Sequence, residues 1–272
     1  MEKRAFVLLS GGVDSTTCLY KAYSDFQTRV SAVSVFYNQR HKRELEYAKL
    51  SCVKLGIDHT VLDVGDLLAG KDILLSGDSV GSMEMVNTSY ANITGVSPSY
   101  VPFRNGLLLS AITAHAQKYV NAQIDLEVFD MVTNEGYSKE SAKIMATGMA
   151  KDLVTIYYGA HAEDSANWAY PDCTPEFNGS MANAIYTGSY NTIRLATPLQ
   201  WLEKSEVIKL GQKHGVHWED TWSCYDNKEQ HCGVCPTCRA RREAFLLASV
   251  NDPTDYLVSG VIPVQDDDDI PF

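Results

Sequence analysis

The residues best suited to chemistry stand near the two ends of the chain. The run Ser10-Gly11-Gly12-Val13-Asp14-Ser15 follows the apolar stretch Ala5-Phe6-Val7-Leu8-Leu9 and precedes Thr16 to Tyr23, which reads as a helix opening. A strand, a small-residue loop and a helix N-terminus in that order make an anion site. Two glycines let the backbone curl so that successive N–H groups point one way. The helix dipole and its unpaired first N–H groups add to that field. Ser10, Ser15 and Thr16 add hydroxyl donors, so the expected guest is a phosphate or pyrophosphate. The G-x-x-x-x-G-K-[ST] arrangement, with its Lys on the outer phosphates, is absent. Far along the chain, Cys224, Cys232, Cys235 and Cys238 are spaced C-x7-C-x2-C-x2-C. A C-x2-C pair lets two thiolates converge on one ion from a tight turn, and Gly233 and Pro236 suit such turns. Four thiolates fill the tetrahedral shell of Zn2+ and leave no open position for water, so the implied role is structural. An iron–sulfur cluster also accepts four thiolates, and a redox-active thiol pair is a further reading. His231, beside Cys232, is a spare ligand. Cys18 and Cys52 fall in helical stretches and read as core.

These groups need a frame. The first third alternates a strand at 5–9, a helix at 14–25, a strand at 29–36, a helix over about 41–55 and a strand at 59–64. Gly56 closes the second helix in the usual position. Such alternation implies an α/β fold, a parallel sheet covered by helices on both faces. Ligands in such sheets sit beyond the carboxyl ends of the strands, where the Gly-Gly loop lies. Residues 70–103, rich in Gly, Ser, Asn, Thr and Pro, read as a long loop of the kind that forms a lid. A helical pattern returns over 104–120. Residues 138–149 suit a helix without evident chemistry, and Leu153 to Tyr158 reads as a buried strand. Helices are expected over 203–214 and 239–249. The tail with Asp266 to Asp269 reads as a solvated end. The expected division is a nucleotide-binding unit over 1–220, a four-cysteine zinc region over 221–250 and a tail over 251–272.

The chain has 272 residues, enough for one sizeable core with an appendage. Hydrophobic residues at 45% and charged residues at 21% are an ordinary globular balance. No apolar run approaches a membrane span. The opening MEKRAFVLL lacks the features of a signal peptide, which leads to the expectation of a cytoplasmic protein. The net charge of −11, from 34 acidic and 23 basic residues, argues against general binding of a nucleic-acid backbone and favours a small-molecule substrate. Seven cysteines, four of them crowded together, point to a metal rather than to disulfides.

The SGGxDS form resembles the PP-loop of the ATP pyrophosphatases, enzymes that split ATP between the α and β phosphates and adenylate a carbonyl oxygen. Further pieces narrow the likeness: Gln39-Arg40-His41, Val101-Pro102-Phe103-Arg104-Asn105, Gly159-Ala160-His161-Ala162-Glu163-Asp164, Tyr170-Pro171-Asp172-Cys173, Thr197-Pro198-Leu199 before a Lys-bearing helix, and the four cysteines. Together these resemble the QueC family of 7-cyano-7-deazaguanine synthases, from about residue 3 to residue 248. Residues 121–150 fall outside the likeness and read as an insertion in a divergent member.

The resemblance implies an adenine-nucleotide alpha-hydrolase-like, Rossmann-like fold and a carbon–nitrogen ligase of queuosine biosynthesis. The substrates would be 7-carboxy-7-deazaguanine, ammonia and ATP. One ATP would activate the carboxylate to give an amide, and a second would activate the amide oxygen to give the nitrile. Mg2+ would accompany ATP, Zn2+ would be structural, and the protein would be a homodimer. Ser10, Gly11, Gly12, Asp14, Ser15 and Thr16 would hold the departing pyrophosphate, with Asp14 also helping to hold Mg2+. Arg40 and Arg104 would neutralise phosphate or carboxylate charge with planar, bidentate forks. Lys204 would act as a point charge, and His41 would shuttle a proton from ammonia. Glu163, Asp164, Tyr170 and Asp172 would bind substrate, Asp164 or Asp172 accepting paired hydrogen bonds from the guanine-like edge.

Plainer readings stand beside these. Gln39 to Glu44 also suits an exposed helix start, Arg104-Asn105 a cap with a surface charge, Lys204 a solvated face, and Tyr170-Pro171-Asp172 a turn. Phe103 stands where the family pattern has Gly, and Asn38 where Gly is common. A ligase stopping at the amide or using another amine, a tRNA-modifying PP-loop enzyme, and a nucleotide-sensing module are the rival functions.

Overall fold

In the computed structural model the described residues are 1–37, 43–65, 97, 100–226 and 229–258. Five strands make one sheet: β1 (Arg4–Leu8), β2 (Val30–Phe36), β3 (Asp58–Asp63), β4 (Val154–Tyr157) and β5 (Ile193–Ala196). Their order is β3-β2-β1-β4-β5, and every pairing is parallel. Val7 of central β1 lies opposite Ala32 of β2 and Tyr157 of β4. Parallel neighbours require crossover connections. The helices are α1 (Val13–Phe26), α2 (Arg43–Leu55), α3 (Arg104–Thr133), α4 (Lys139–Met149), α5 (Ala162–Ser165), α6 (Pro175–Gly188), α7 (Lys204–Lys213) and α8 (Pro236–Ala248). The chain steps outward from β1 to β3, then returns and continues on the other side of β1 at β4. That reversal opens a crevice past the carboxyl ends of β1 and β4.

The composition of β1 requires a layer on each face. Ala5, Val7 and Leu9 join one buried core, and Phe6 and Leu8 join the other. Successive strand residues point to opposite faces, so an unbroken apolar run must be covered twice. On the first face Leu19 of α1, Ala48 of α2, Ile208 of α7 and Phe245 of α8 meet the sheet. On the second, Leu109, Ile112, Ala116 and Val120 of α3 form a fully buried helical stripe, joined by Ile185 of α6. A third core holds Trp222 and the four C-terminal cysteines, with Tyr47 and Tyr256 packed against it.

Most expected elements form close to their expected bounds. The helix expected over 104–120 instead runs to Thr133, about 45 Å in all. Past Val120 its buried face is met by α4 through Ala142 and Ala146. Leu126, Phe129, Ile144 and Met145 stay exposed along this hairpin. The sequence reading has no counterpart for α6 and β5. Helix α6 contains Asn178, Gly179, Ser180 and Thr187, weak helix formers all. It starts nonetheless because Pro175 sits in its first turn and Thr174 Oγ1 accepts the Phe177 N–H at 3.2 Å. Strand β5 is only four residues long and lies at the sheet edge.

The expected lid over 70–103 lies outside the described residues apart from Ser97 and Tyr100 to Phe103, and so does the acidic tail beyond Val258. Among the described residues no helix is long and apolar enough to cross a membrane.

Candidate active site

The loop after β1 is shaped by close approach. Gly11 holds φ +92°, and a Cβ there would lie 2.1 Å from the backbone oxygen of Glu44. Glycine is required on both counts. Gly12 is the N-cap of α1, and Asp14 lies in its first turn. Ser15 Oγ accepts the Ser10 N–H at 3.1 Å and lies 3.0 Å from Ser10 Oγ. The Gly12 N–H reaches Ser10 Oγ at 3.3 Å. Thr16 is wholly buried, and its hydroxyl has no hydrogen-bond partner among the described residues. Ser10, Gly12, Asp14 and Ser15 open onto a cavity of about 500 Å³ at the carboxyl ends of β1 and β4. Gly11 and Thr16 lie behind that surface and hold the loop's form.

Opposite the loop, residues distant in sequence meet. Lys204 is the first residue of α7, and its Nζ lies 2.5 Å from Asp14 Oδ2. The same ammonium lies 3.3 Å from His161 Nε2, which is 3.2 Å from Asp164 Oδ2. His161 is the N-cap of α5, just after β4. The start of α7 is fixed by a capping box between Glu203 and Glu206 and by Glu163 Oε1, which accepts the Lys204 N–H at 2.6 Å. Burial penalises the charge of Asp14, but Lys204 and His161 outweigh it and hold its carboxyl below the usual range. Burial likewise opposes the charge of Lys204, and Asp14 and Asp164 overcome it and raise the ammonium. For Asp164 burial prevails over the pull of His161 and Lys204, and its carboxyl is raised. Two neighbouring carboxylates are thus driven apart by their surroundings.

Arg104 opens α3 on a further wall, where Tyr37, Asp172, Tyr225 and Tyr158 face its guanidinium. Phe103 before it adopts φ 57°, the left-handed region a glycine enters freely. The left-handed turn that a Gly would take is therefore held here with a side chain in place, its ring set edge-on to Phe177 at 5.9 Å. Glu163, Asp164 and Tyr170 line the cavity with Arg104. Ser97 Oγ lies 3.0 Å from the Tyr170 hydroxyl. Asp172 is not on the cavity surface: it is 3% exposed, and its Oδ2 accepts the Asn105 N–H at 2.9 Å, capping α3. Cys173 does reach the cavity, but burial pushes its thiol far up and leaves it a poor nucleophile. Arg40 and His41 lie outside the described residues.

The four cysteine sulfurs all lie within 4.8 Å of one another. Thiolates about 2.3 Å from a tetrahedral zinc ion stand about 3.8 Å apart, so the donor set fits one such ion. Backbone N–H groups of Asp226 and Cys232 point at Cys224 Sγ, each at 3.3 Å, and favour a thiolate. His231 is engaged elsewhere. Its Nε2 accepts the Ser223 N–H at 3.1 Å and its ring lies 4.1 Å from that of Trp222. The cysteine region also walls the cavity, through Trp222, Tyr225 and Thr237. The Trp222 N–H donates to the Gly11 oxygen at 2.9 Å, which ties this region to the loop.

Sequence reasoning assigns no role to His161, Glu44, Tyr37, Tyr158 or Tyr225, all of which meet at this site. His161 had a usable signal, since it follows a buried strand at the end where ligands bind. Nothing local marks Tyr225 except the cysteine before it.

The chain matches the family model described as "Queuosine biosynthesis protein QueC" over residues 4–138 and 141–249. That match takes in nearly all of 121–150, the stretch read from sequence as an insertion. The chain is similar to the 7-cyano-7-deazaguanine synthase of Caldicellulosiruptor bescii, 33% identical over 253 residues, covering 93% of this chain and 97% of that one. It is similar to the 7-cyano-7-deazaguanine synthase of Alteromonas mediterranea, 30% identical over 256 residues, 94% of this chain and 100% of that one. The 7-cyano-7-deazaguanine synthase of Thermoplasma acidophilum is 32% identical over 258 residues, 93% of this chain and 92% of that one. With both the glycine loop and the four cysteines inside the match, the chain belongs to the family of queuosine biosynthesis proteins QueC.

Proposed function

We propose that this chain is an ATP-dependent carbon–nitrogen ligase that converts 7-carboxy-7-deazaguanine and ammonia to 7-cyano-7-deazaguanine. One observation carries the reading. A single cavity has a phosphate-type loop on one wall and Arg104, Asp164 and Tyr170 on another, in a chain whose full-length relatives are named for that product. A nucleotide's phosphates and a planar acid can therefore meet in one place.

In this reading Ser10, Gly11, Gly12, Asp14, Ser15 and Thr16 hold the pyrophosphate as it leaves. Asp14 Oδ1 and His161 Nδ1, both on residues that line the cavity, are buried and make no hydrogen bond among the described residues, which supports a polar guest. Lys204 balances phosphate charge and Asp14 supplies a hard oxygen for Mg2+. Arg104 binds the carboxylate being activated. Asp164, facing the cavity, accepts from the guanine-like edge beside Glu163 and Tyr170. Asp172 contributes by fixing the start of α3, with one oxygen left over. Arg40 as a second cation and His41 as a proton shuttle belong to the same proposal.

A single Zn2+ on Cys224, Cys232, Cys235 and Cys238 would be structural, because four thiolates leave no open position. The close spacing of the sulfurs supports one ion over a multi-iron cluster, whose thiolates stand further apart. The nucleotide unit would span 1–220 and the zinc region 221–250. The apolar side chains exposed along α3 and α4 support a homodimer. In this reading the enzyme works in the cytoplasm, and a small-molecule substrate without nucleic acid fits the net charge of −11.

The test is to incubate the protein with 7-carboxy-7-deazaguanine, Mg·ATP and an ammonium salt, and to follow products by mass spectrometry. Nitrile is expected, with AMP and pyrophosphate in a ratio of about two ATP per product, one for each activated oxygen. Amide alone would move the chain to a ligase that stops early. AMP release no higher with the acid than without it would overturn the substrate assignment.

A further inference from the structure

At neutral pH ammonia is almost wholly the ammonium ion, which has no lone pair to attack with. Any site that uses ammonium must remove a proton beside the activated carbonyl. We propose that the carboxylate of Glu44 is the general base that deprotonates the attacking ammonium; this rests on the ligase reading above.

Glu44 stands in the first turn of α2 and lines the cavity shared by the glycine loop and Arg104. Its position is held by backbone, since the Glu44 oxygen sits where a Cβ on Gly11 would be, 2.1 Å away. The helix turn that carries the carboxylate is therefore registered to the loop. Among the described residues its carboxylate oxygens accept no hydrogen bond, so its lone pairs are open to a cavity guest. The charged and titratable groups around it come from every side: Arg104 of α3, Tyr37 after β2, and Tyr225 of the cysteine loop. Asp14 of α1, Lys204 of α7, Asp164 of α5 and Tyr158 after β4 line the same cavity. Burial raises the Glu44 carboxyl to about 7, against the pull of Arg104. A base is most effective when its pKa lies near the working pH. The other carboxylates lining the cavity are engaged, Asp14 by Lys204, Asp164 by His161 and Glu163 by the α7 N-terminus.

The step balances as follows. Glu44 takes one proton from the ammonium ion, and the freed nitrogen lone pair attacks the carbonyl carbon of the acyl adenylate. The C–N bond forms, and the bond from carbon to the phosphate-bearing oxygen breaks with its electron pair, releasing AMP. Glu44 gives its first proton to water and takes the second that the new C–N bond sheds. The products are the amide, AMP and two protons.

The experiment compares wild type, Glu44→Gln and Glu44→Asp in three assays. Acid-dependent ATP–pyrophosphate exchange reports adenylation without an amine. Amide formation with ammonium needs the base. Hydroxamate formation with hydroxylamine, largely the free base at neutral pH, does not. Glu44→Gln is expected to keep exchange and hydroxylamine capture within a few-fold, and to lose about 10²–10⁴-fold with ammonium. Glu44→Asp, which keeps a carboxylate, is expected to recover part of that loss. The wild-type ammonium rate should level off above about pH 7, where Glu44 is ionised, while the Gln variant should follow free ammonia to higher pH. Equal losses with both amines would make Glu44 structural and overturn the inference, as would an unimpaired ammonium rate in the Gln variant or an Asp variant no better than Gln. Absence of acid-dependent exchange in the wild type would instead sink the ligase reading, and the inference with it.

Discussion

Lys204 and Asp14 form the tightest charged pair at the site, at 2.5 Å, with side chains only 19% and 25% exposed. Each shift has a definite pH window. The Asp14 carboxyl is lowered in the folded state, so its contribution is present above the ordinary carboxylate range and fades as pH falls through the folded value. The Lys204 ammonium is raised, so its contribution is present below the ordinary lysine range and fades as pH rises through the folded value. The pair should therefore stabilise the fold between about pH 4 and pH 10. Lys204→Ala leaves a buried carboxylate unpaired and should cost roughly 3 kcal/mol at pH 7. Urea unfolding across pH checks this, with the gap to wild type shrinking below about pH 4. A gap unchanged by acid would mean the loss comes from packing. Phe103 makes the opposite case, a residue that bears strain without taking part in chemistry. Phe103→Gly relieves the left-handed φ and removes an edge contact with Phe177. These oppose each other, so the melting point should move by no more than about 1 kcal/mol permits, well short of an ordinary buried Phe truncation.

At the scale of elements, the site depends on how helix starts are fixed. Four of its side chains come from the openings of α1, α2, α3 and α7, and each opening is held by another segment. Helix α7 can be tested directly. Gly211 lets it lie against Trp218, and a Cβ there would come within 2.3 Å of that ring. Trp218 is 4% exposed and has little room to yield. Gly211→Ala should destabilise by about 1–3 kcal/mol and, by shifting the helix that carries Lys204, lower turnover as well. Full activity in a destabilised variant would show that Lys204 tolerates movement of its helix. Elements whose signal is local were legible in the sequence. The apolar runs of β1 and β2, the Gly-Gly loop and the cysteine spacing all sit within a few residues. What was not legible depends on sheet order. His161 meets Lys204 and Asp14 only because β4 pairs with β1 on the side away from β2. Helix α6 and strand β5 escaped notice because a glycine-bearing helix and a four-residue edge strand owe their form to packing.

At the scale of the whole molecule, the cysteine region and the glycine loop are mechanically one object. The Trp222 N–H holds the Gly11 oxygen, and the Trp222 indole N–H donates to the Cys224 oxygen at 2.8 Å. Tyr225, directly after the first cysteine, lines the cavity near Arg104. From the other end, Arg241 of α8 is 1% exposed and binds the Thr221 hydroxyl at 2.7 Å and Asp252 at 3.1 Å. The segment from Thr221 to Tyr225 is thus pinned by α8 on one side and by the cysteines on the other. A metal that organises those cysteines would therefore act on the loop through two covalent steps and one hydrogen bond. Removing it with a strong chelator should lower the melting point by several degrees and, before unfolding, raise the KM for ATP more than the KM for ammonium. Metal content read by elemental analysis should fall in step with both effects, and one equivalent of Zn2+ should restore them. Cys238→Ser, which removes one of the four ligands, should reproduce the change without a chelator. If KM for ATP stayed fixed while the melting point fell, the cysteine region would be a staple remote from the nucleotide, and the hydrogen bond between Trp222 and Gly11 would carry no functional weight.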